Sequence, residues 1–147
     1  MRREFTATLY ILHENRILLL RHKKYAKWMP PGGHLLPNEA PHEAALREAF
    51  EEANILAEIT PQENILLNTP EAKTIPRPYL CLLEEIPPYN DQPPHQHIDM
   101  IFLGKPLSEI TETENVRWFS RTEIENLQSG KDLFEDAKQL MLSLFFI

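Results

Sequence analysis

Between Gly33 and Ile55 the chain reads GHLLPNEAPHEAALREAFEEANI, which gathers Glu39, Glu48, Glu51, Glu52 and the single cation Arg47. The spacing predicts a short helix behind a Pro-Pro-Gly-Gly turn (Pro30–Gly33). With Glu48 as origin and a 100° advance per residue, Glu51 falls at about −60° and Glu52 at about +40°. Three carboxylates therefore share one narrow face. Like charges at this spacing cost roughly 0.2–0.5 kcal/mol per pair in an isolated helix. A bound cation turns that repulsion into coordination, and hard divalent ions such as Mg²⁺ prefer oxygen ligands. Glu48, Glu51 and Glu52 are thus candidate metal ligands. Leu46, Ala49, Phe50 and Ala53 form the opposite, core-facing stripe. Pro41 suits the first helical turn, whereas Ala40 is a poor N-cap by side chain.

An arbitrary Glu-rich helix is ordinarily a solvated face; the spacing here argues otherwise. The segment resembles the signature of the Nudix hydrolases, Gly-x5-Glu-x7-Arg-Glu-U-x-Glu-Glu-x-Gly-U with U apolar. Gly33, Glu39, Arg47, Glu48, Glu51, Glu52 and Ile55 all fall in register. Ala49 is a small occupant of an apolar position. Asn54 replaces the second glycine, and asparagine is the next-best residue for a left-handed helix end.

The resemblance implies an α+β fold, a mixed β-sheet sandwiched between α-helices (α/β/α). It implies cleavage of a nucleoside diphosphate linked to another group, with Mg²⁺, or alternatively Mn²⁺, as cofactor. By the same analogy the backbone carbonyl of Gly32 joins the metal ligands and Glu39 supports them. Arg47, at i, i+4 from Glu51, is expected to orient that carboxylate. The general base is expected to be a signature glutamate or an acid from a later loop, for which Glu112 and Glu114 are the candidates. Tyr25 and Trp28, ahead of the turn, are candidates to stack on a base or simply to pack. His34 and the pair His95/His97 are candidates to meet phosphate. Pro70, beyond the signature, resembles in its spacing a feature of Nudix enzymes that cleave ADP-ribose. No coenzyme A or NADH signature accompanies it.

A nucleoside triphosphate or related nucleotide is the leading substrate, with ADP-ribose or a nucleotide sugar as alternatives. A non-catalytic nucleotide-binding module is the reading from a different class. Three intact carboxylates favour catalysis, because a pure binder has little reason to keep their mutual repulsion. Relatives are often dimers, so a homodimer is left open.

Composition fits one domain spanning residues 1–147, long enough to bury a core. The net charge of −7 argues against an extended nucleic-acid partner. One cysteine, Cys81, precludes an internal disulfide and reads as a core residue. Met1–Glu4 do not open a signal peptide, and the apolar runs Ile17–Leu20 and Leu142–Ile147 are too short to cross a bilayer. These features together point to the cytoplasm. Around the acidic helix, strands are expected at Phe5–Leu12, Arg16–His22, Ile55–Thr60, Tyr79–Ile86, Ile98–Leu103 and Val116–Phe119. A turn at His13–Asn15 joins the first two. Helices are expected at Arg121–Gln128 and Asp132–Phe146, the second turning Leu133, Phe134, Ala137, Leu140, Met141 and Leu144 inward. Most of the thirteen prolines lie in the connections.

Overall fold

Alternating burial along the first strand divides the molecule into two layers around a sheet. The computed structural model describes residues 1–145. Its elements are β1 (Arg3–His13), β2 (Arg16–His22), β3 (Lys27–Met29), β4 (Gly32–His34), α1 (Pro41–Ala53), β5 (Ala57–Ile59), β6 (Leu80–Ile86), β7 (His95–Pro106), β8 (Val116–Ser120), α2 (Arg121–Asn126) and α3 (Glu135–Leu144). The sheet runs β3-β2-β1-β7-β5, with β4 on β1, β6 on β7 and β8 on β2. Strands β1 and β7 pair in parallel, and the other pairings are antiparallel.

Side chains alternate faces along a strand. Ala7, Leu9 and Ile11 point one way, into a core with Leu18, Ile55, Phe102 and the α1 residues Ala44, Ala45, Ala49 and Ala53. Tyr10 points the other way, joining Ile17, Leu19, Ile101, Phe119, Leu133, Met141 and Leu144 beneath α2 and α3. The expected mixed sheet between helices is therefore present. The turn after β1 is tight: Glu14 and Asn15 have φ of 52° and 59°, the paired left-handed geometry of a type I′ hairpin.

Several expectations need correction. Phe50 is 52% exposed, whereas the small residues Ala44 and Ala45 are buried. The buried arc of α1 centres on Ala49, so Phe50, about 100° further round, faces solvent; Leu46 is only partly covered. Cys81 is exposed, not core, because the period of two along β6 places it on the outer face. Strands β3 and β4 were not foreseen; they flank Pro30-Pro31, whose missing N–H groups interrupt an otherwise extended run. β5 is shorter than its apolar run, Ile55 being buried before the strand begins. β7 starts earlier than Ile98, because His95 and His97 already pair with Ile86 and Glu84 of β6.

The last two helices are also shorter than their patterns. α2 opens on a reciprocal cap, the Glu123 N–H donating to Ser120 Oγ and the Ser120 N–H to Glu123 Oε1. It ends at Asn126. α3 begins only at Glu135, because the Asp132 carboxylate accepts from the Gln128 N–H at 2.7 Å and closes the preceding loop. Leu133, expected inside that helix, is fully buried ahead of it. The expected helix end at Phe146, and the last two residues of the run Leu142–Ile147, lie outside the described residues. No helix among the described residues is long and apolar enough to cross a membrane.

Candidate active site

Helix α1 is held at both ends by backbone geometry. Pro41 occupies its first turn, and the Ala40 N–H donates to the Glu43 carboxylate at 2.9 Å. Asn54 adopts the left-handed conformation (φ 51°, ψ 41°) and its N–H closes on the Phe50 carbonyl. The substitution of asparagine for glycine thus preserves the helix end.

Arg47 is the hub of the charged face. Its Nε and Nη2 donate to the two oxygens of Glu39 at 2.7 and 3.0 Å, a bidentate pair. Nη1 donates to Glu48 at 2.9 Å and to Glu51 at 3.0 Å, and Nη2 also reaches the His34 carbonyl at 3.1 Å. Arg47 therefore orients three carboxylates, not Glu51 alone. Glu39 is fully engaged: besides Arg47 it accepts from the Leu36 N–H at 3.0 Å, and the arginine holds its carboxyl below the usual range. The guanidinium itself is pushed further up by the same contacts.

Glu52 lies at the margin of the buried arc and behaves differently. Burial pushes its carboxyl up to about 7, against the hydrogen bond from the Gly32 N–H at 2.9 Å, with the Glu48 and Glu51 carboxylates adding to the rise. Gly33 explains how Glu48 fits. A Cβ at Gly33 would lie 2.6 Å from Glu48 Oε1 and 2.8 Å from its carboxyl carbon. At Gly32 it would meet the Ala7 carbonyl and Thr8 Oγ1, both at 2.7 Å. Both glycines are required by close approach, one by a functional carboxylate and the other by the sheet.

Gly32, Gly33 and Glu52 form part of the wall of a cavity of about 520 Å³, a size suited to a small-molecule ligand. Tyr25 and His34 line it, as do Lys24 and Phe134, which the sequence did not single out. Tyr25 packs edge-on to Phe134 at 5.5 Å, with Lys24 Nζ 5.1 Å over its ring. Trp28 is only 8% exposed and packs edge-on against Phe119 within the core; it is a packing residue.

The cavity floor carries acids that sequence reasoning missed. Asp99 is 5% exposed and accepts from the hydroxyls of Thr6 (3.1 Å) and Thr8 (2.9 Å to each oxygen). Burial and the neighbouring Asp99 carboxylate push Glu84 far above the ordinary carboxyl range, so Glu84 keeps its proton at neutral pH and donates to Asp99. Burial also raises the Tyr10 hydroxyl well above its usual value. The available signal was strand parity: Thr6, Thr8 and Tyr10 alternate with core residues on β1, and Asp99 stands opposite Thr6 on β7.

Glu112 and Glu114 are not brought to this cavity. Glu112 accepts from the Trp118 N–H at 2.8 Å, and both acids are exposed ahead of β8. Pro70 is likewise exposed, in the irregular segment between β5 and β6. His95 and His97 converge with His34 on Glu4 at the edge of the cavity: His34 Nε2 lies 3.0 Å from Glu4 Oε1, and the His95 and His97 Nε2 atoms are 3.2 Å apart.

A family model described as the NUDIX domain matches residues 2–141. The chain belongs to the Nudix family and is a hydrolase acting on pyrophosphate bonds. Among solved structures, a hydrolase of the NUDIX family from Clostridium perfringens is 27% identical with a TM-score of 0.79, over 99% of this chain and 98% of that one. The Ap4A hydrolase of C. elegans is 20% identical with a TM-score of 0.61, over 99% and 100%. An ADP-ribose pyrophosphatase from Streptococcus suis is 17% identical with a TM-score of 0.56, over 96% and 90%. The latter two share the fold. No curated protein sequence matches the chain.

Proposed function

We propose that this protein is a divalent-metal-dependent pyrophosphohydrolase of nucleoside diphosphates linked to another group, with a nucleoside triphosphate or related nucleotide as its substrate. The observation that carries this reading is the packing of Glu52 and Glu48 against the Gly32–Gly33 backbone beside the cavity, with Glu51 tied to Glu48 through Arg47. Glu52 in particular is a half-buried carboxyl pushed up to about 7 by burial, with two anionic neighbours adding to the rise. A divalent cation would relieve that arrangement, and the all-oxygen donor set suits Mg²⁺ or Mn²⁺.

Glu48, Glu51 and Glu52, with the Gly32 carbonyl, would hold the metal. When bound, such an ion neutralises phosphate charge and makes a bound water more acidic. The remaining tasks fall to the chain itself. Arg47 keeps Glu48 and Glu51 in place while tying them to Glu39, whose own part is to anchor the arginine. Lys24 presents a positive group to the phosphates from the cavity wall, and Tyr25 offers an aromatic face to the base. The water proton goes to one of the α1 carboxylates, since Glu112 and Glu114 stand elsewhere. Glu84 spends its one proton on Asp99, so the floor offers mainly acceptor oxygens, which suits the N–H and hydroxyl donors of a base or ribose edge.

A screen of nucleotides with Mg²⁺ or Mn²⁺, reading products by mass, tests this function. Release of a nucleoside monophosphate and pyrophosphate identifies triphosphates as substrates. Release of AMP and ribose 5-phosphate, or of a sugar phosphate, assigns ADP-ribose or a nucleotide sugar instead. Binding with no turnover of any nucleotide would move the protein to the non-catalytic class.

A further inference from the structure

We propose that Glu4, His34, His95 and His97 form a second metal site, for a divalent ion of the zinc class, distinct from the carboxylate face of α1. Strand register assembles it. His95 and His97 are separated by one residue on β7 and so share a face. The β1–β7 register sets Glu4 directly opposite His97, and β4 brings His34 opposite Thr6, two positions along the same face of β1.

The distances are those of a coordination shell. Glu4 Oε1 lies 3.0 Å from His34 Nε2, 3.4 Å from His95 Nε2 and 3.6 Å from His97 Nε2, while the His95 and His97 Nε2 atoms are 3.2 Å apart. Ligands at zinc bond lengths of about 2.0–2.1 Å in a tetrahedron stand about 3.3–3.4 Å from one another. Glu4, His95 and His97 already form one triangular face of such a shell. The ligand atoms of Glu4, His34 and His97 fall within 4.8 Å of one another, so His34 stands beside that face on the Glu4 side.

Ring orientation agrees. His95 is 5% exposed, and its Nδ1 contacts the Pro93 carbonyl at 3.2 Å. A carbonyl only accepts, so Nδ1 carries the hydrogen and Nε2 is the nitrogen turned toward the cluster. This is the outer hydrogen bond that orients metal-binding imidazoles. Imidazoles facing one another and a carboxylate suit a borderline cation; the nitrogen-rich set selects zinc over Mg²⁺. Bound there, the ion would tether β1, β4 and β7 next to Gly33, whose backbone abuts Glu48.

The test is titration of the chelator-stripped full chain with Co²⁺, a spectroscopic stand-in for zinc, in excess Mg²⁺. The expected result is one equivalent bound, with the intense visible bands of a tetrahedral ion, displaced by Zn²⁺. His97→Gln and His34→Gln should each weaken binding by at least about 100-fold, whereas Glu51→Gln should leave the bands in place. Melting of the metal-free variants checks the fold, and the exposed His34 supplies the decisive variant if His97→Gln is unfolded. Absence of tetrahedral bands in the parent protein, or bands lost in Glu51→Gln but kept in His34→Gln, overturns the site. A cluster that merely shares protons gives the first of these results. Because Glu51→Gln also tests the hydrolytic reading, the two proposals fail separately.

Discussion

The charged face of α1 and the imidazole cluster at the edge of the cavity are both concentrations of ligand atoms, yet they are built in different ways. The first is local. Glu48, Glu51 and Glu52 lie within five residues, and a single arginine binds two of them together with Glu39. The second is assembled from three strands: its members come from residues 4, 34, 95 and 97 and meet only through the β1–β7 and β1–β4 registers. The first offers oxygen alone and the second mostly nitrogen. A helix can write a hard-ion site into one turn, whereas a borderline-ion site built on a sheet depends on register.

The sharpest way to break this comparison is to remove a charge from the local site. Glu52→Gln, or Glu51→Gln, should lower nucleotide turnover at least about 10²-fold with the fold retained; product release and circular dichroism measure the two effects. Equal turnover by variant and parent in Mg²⁺ would defeat the catalytic assignment. Next comes Gly33→Ala, whose Cβ collides with the Glu48 carboxylate at 2.6 Å. Displacing that group should reduce activity about 10- to 100-fold and raise the Mg²⁺ concentration needed for half-maximal rate.

Arg47→Lys tests whether the hub acts by geometry or by charge. A lysine keeps the charge but cannot hold Glu39 bidentately while reaching Glu48 and Glu51, so denaturant unfolding should show a loss of about 1–3 kcal/mol. An unchanged midpoint would mean that charge alone suffices.

Smaller still is the pH signature of Glu52. Its folded carboxyl, about 7, lies above the reference value of 4.5. Its contribution to stability is therefore complete below 4.5 and is lost as the pH rises through about 7. Metal-free parent and Glu52→Gln should accordingly diverge across that window, and Mg²⁺ should flatten the parent's curve; parallel curves would deny the shift. The least effect is expected from Phe50→Ala, within about 0.5 kcal/mol, since that ring faces solvent. Ala49→Leu, by contrast, should cost about 1–3 kcal/mol by overfilling the contact with the sheet.

Much was legible in the chain before folding. The spacing from Gly33 to Ile55 was enough to place three carboxylates on one side of a helix, and the family signature marked Asn54 as its left-handed end, because helical periodicity and helix ends are short-range properties. Strand alternation likewise exposed β1 and β2, while the mixed sheet was implied by the family resemblance. Tertiary structure decided what long-range pairing controls: that Trp28 packs in the core while Tyr25 faces the cavity, that Cys81 turns outward and Phe50 faces water, and that Asp99 meets Glu84 beneath Thr6 and Thr8. It also drew together four residues separated by up to 93 positions, Glu4 and His97 among them. The physical reason is parity. Shifting a strand by one residue sends every side chain to the opposite face, and register is a property of the assembled sheet rather than of any one segment.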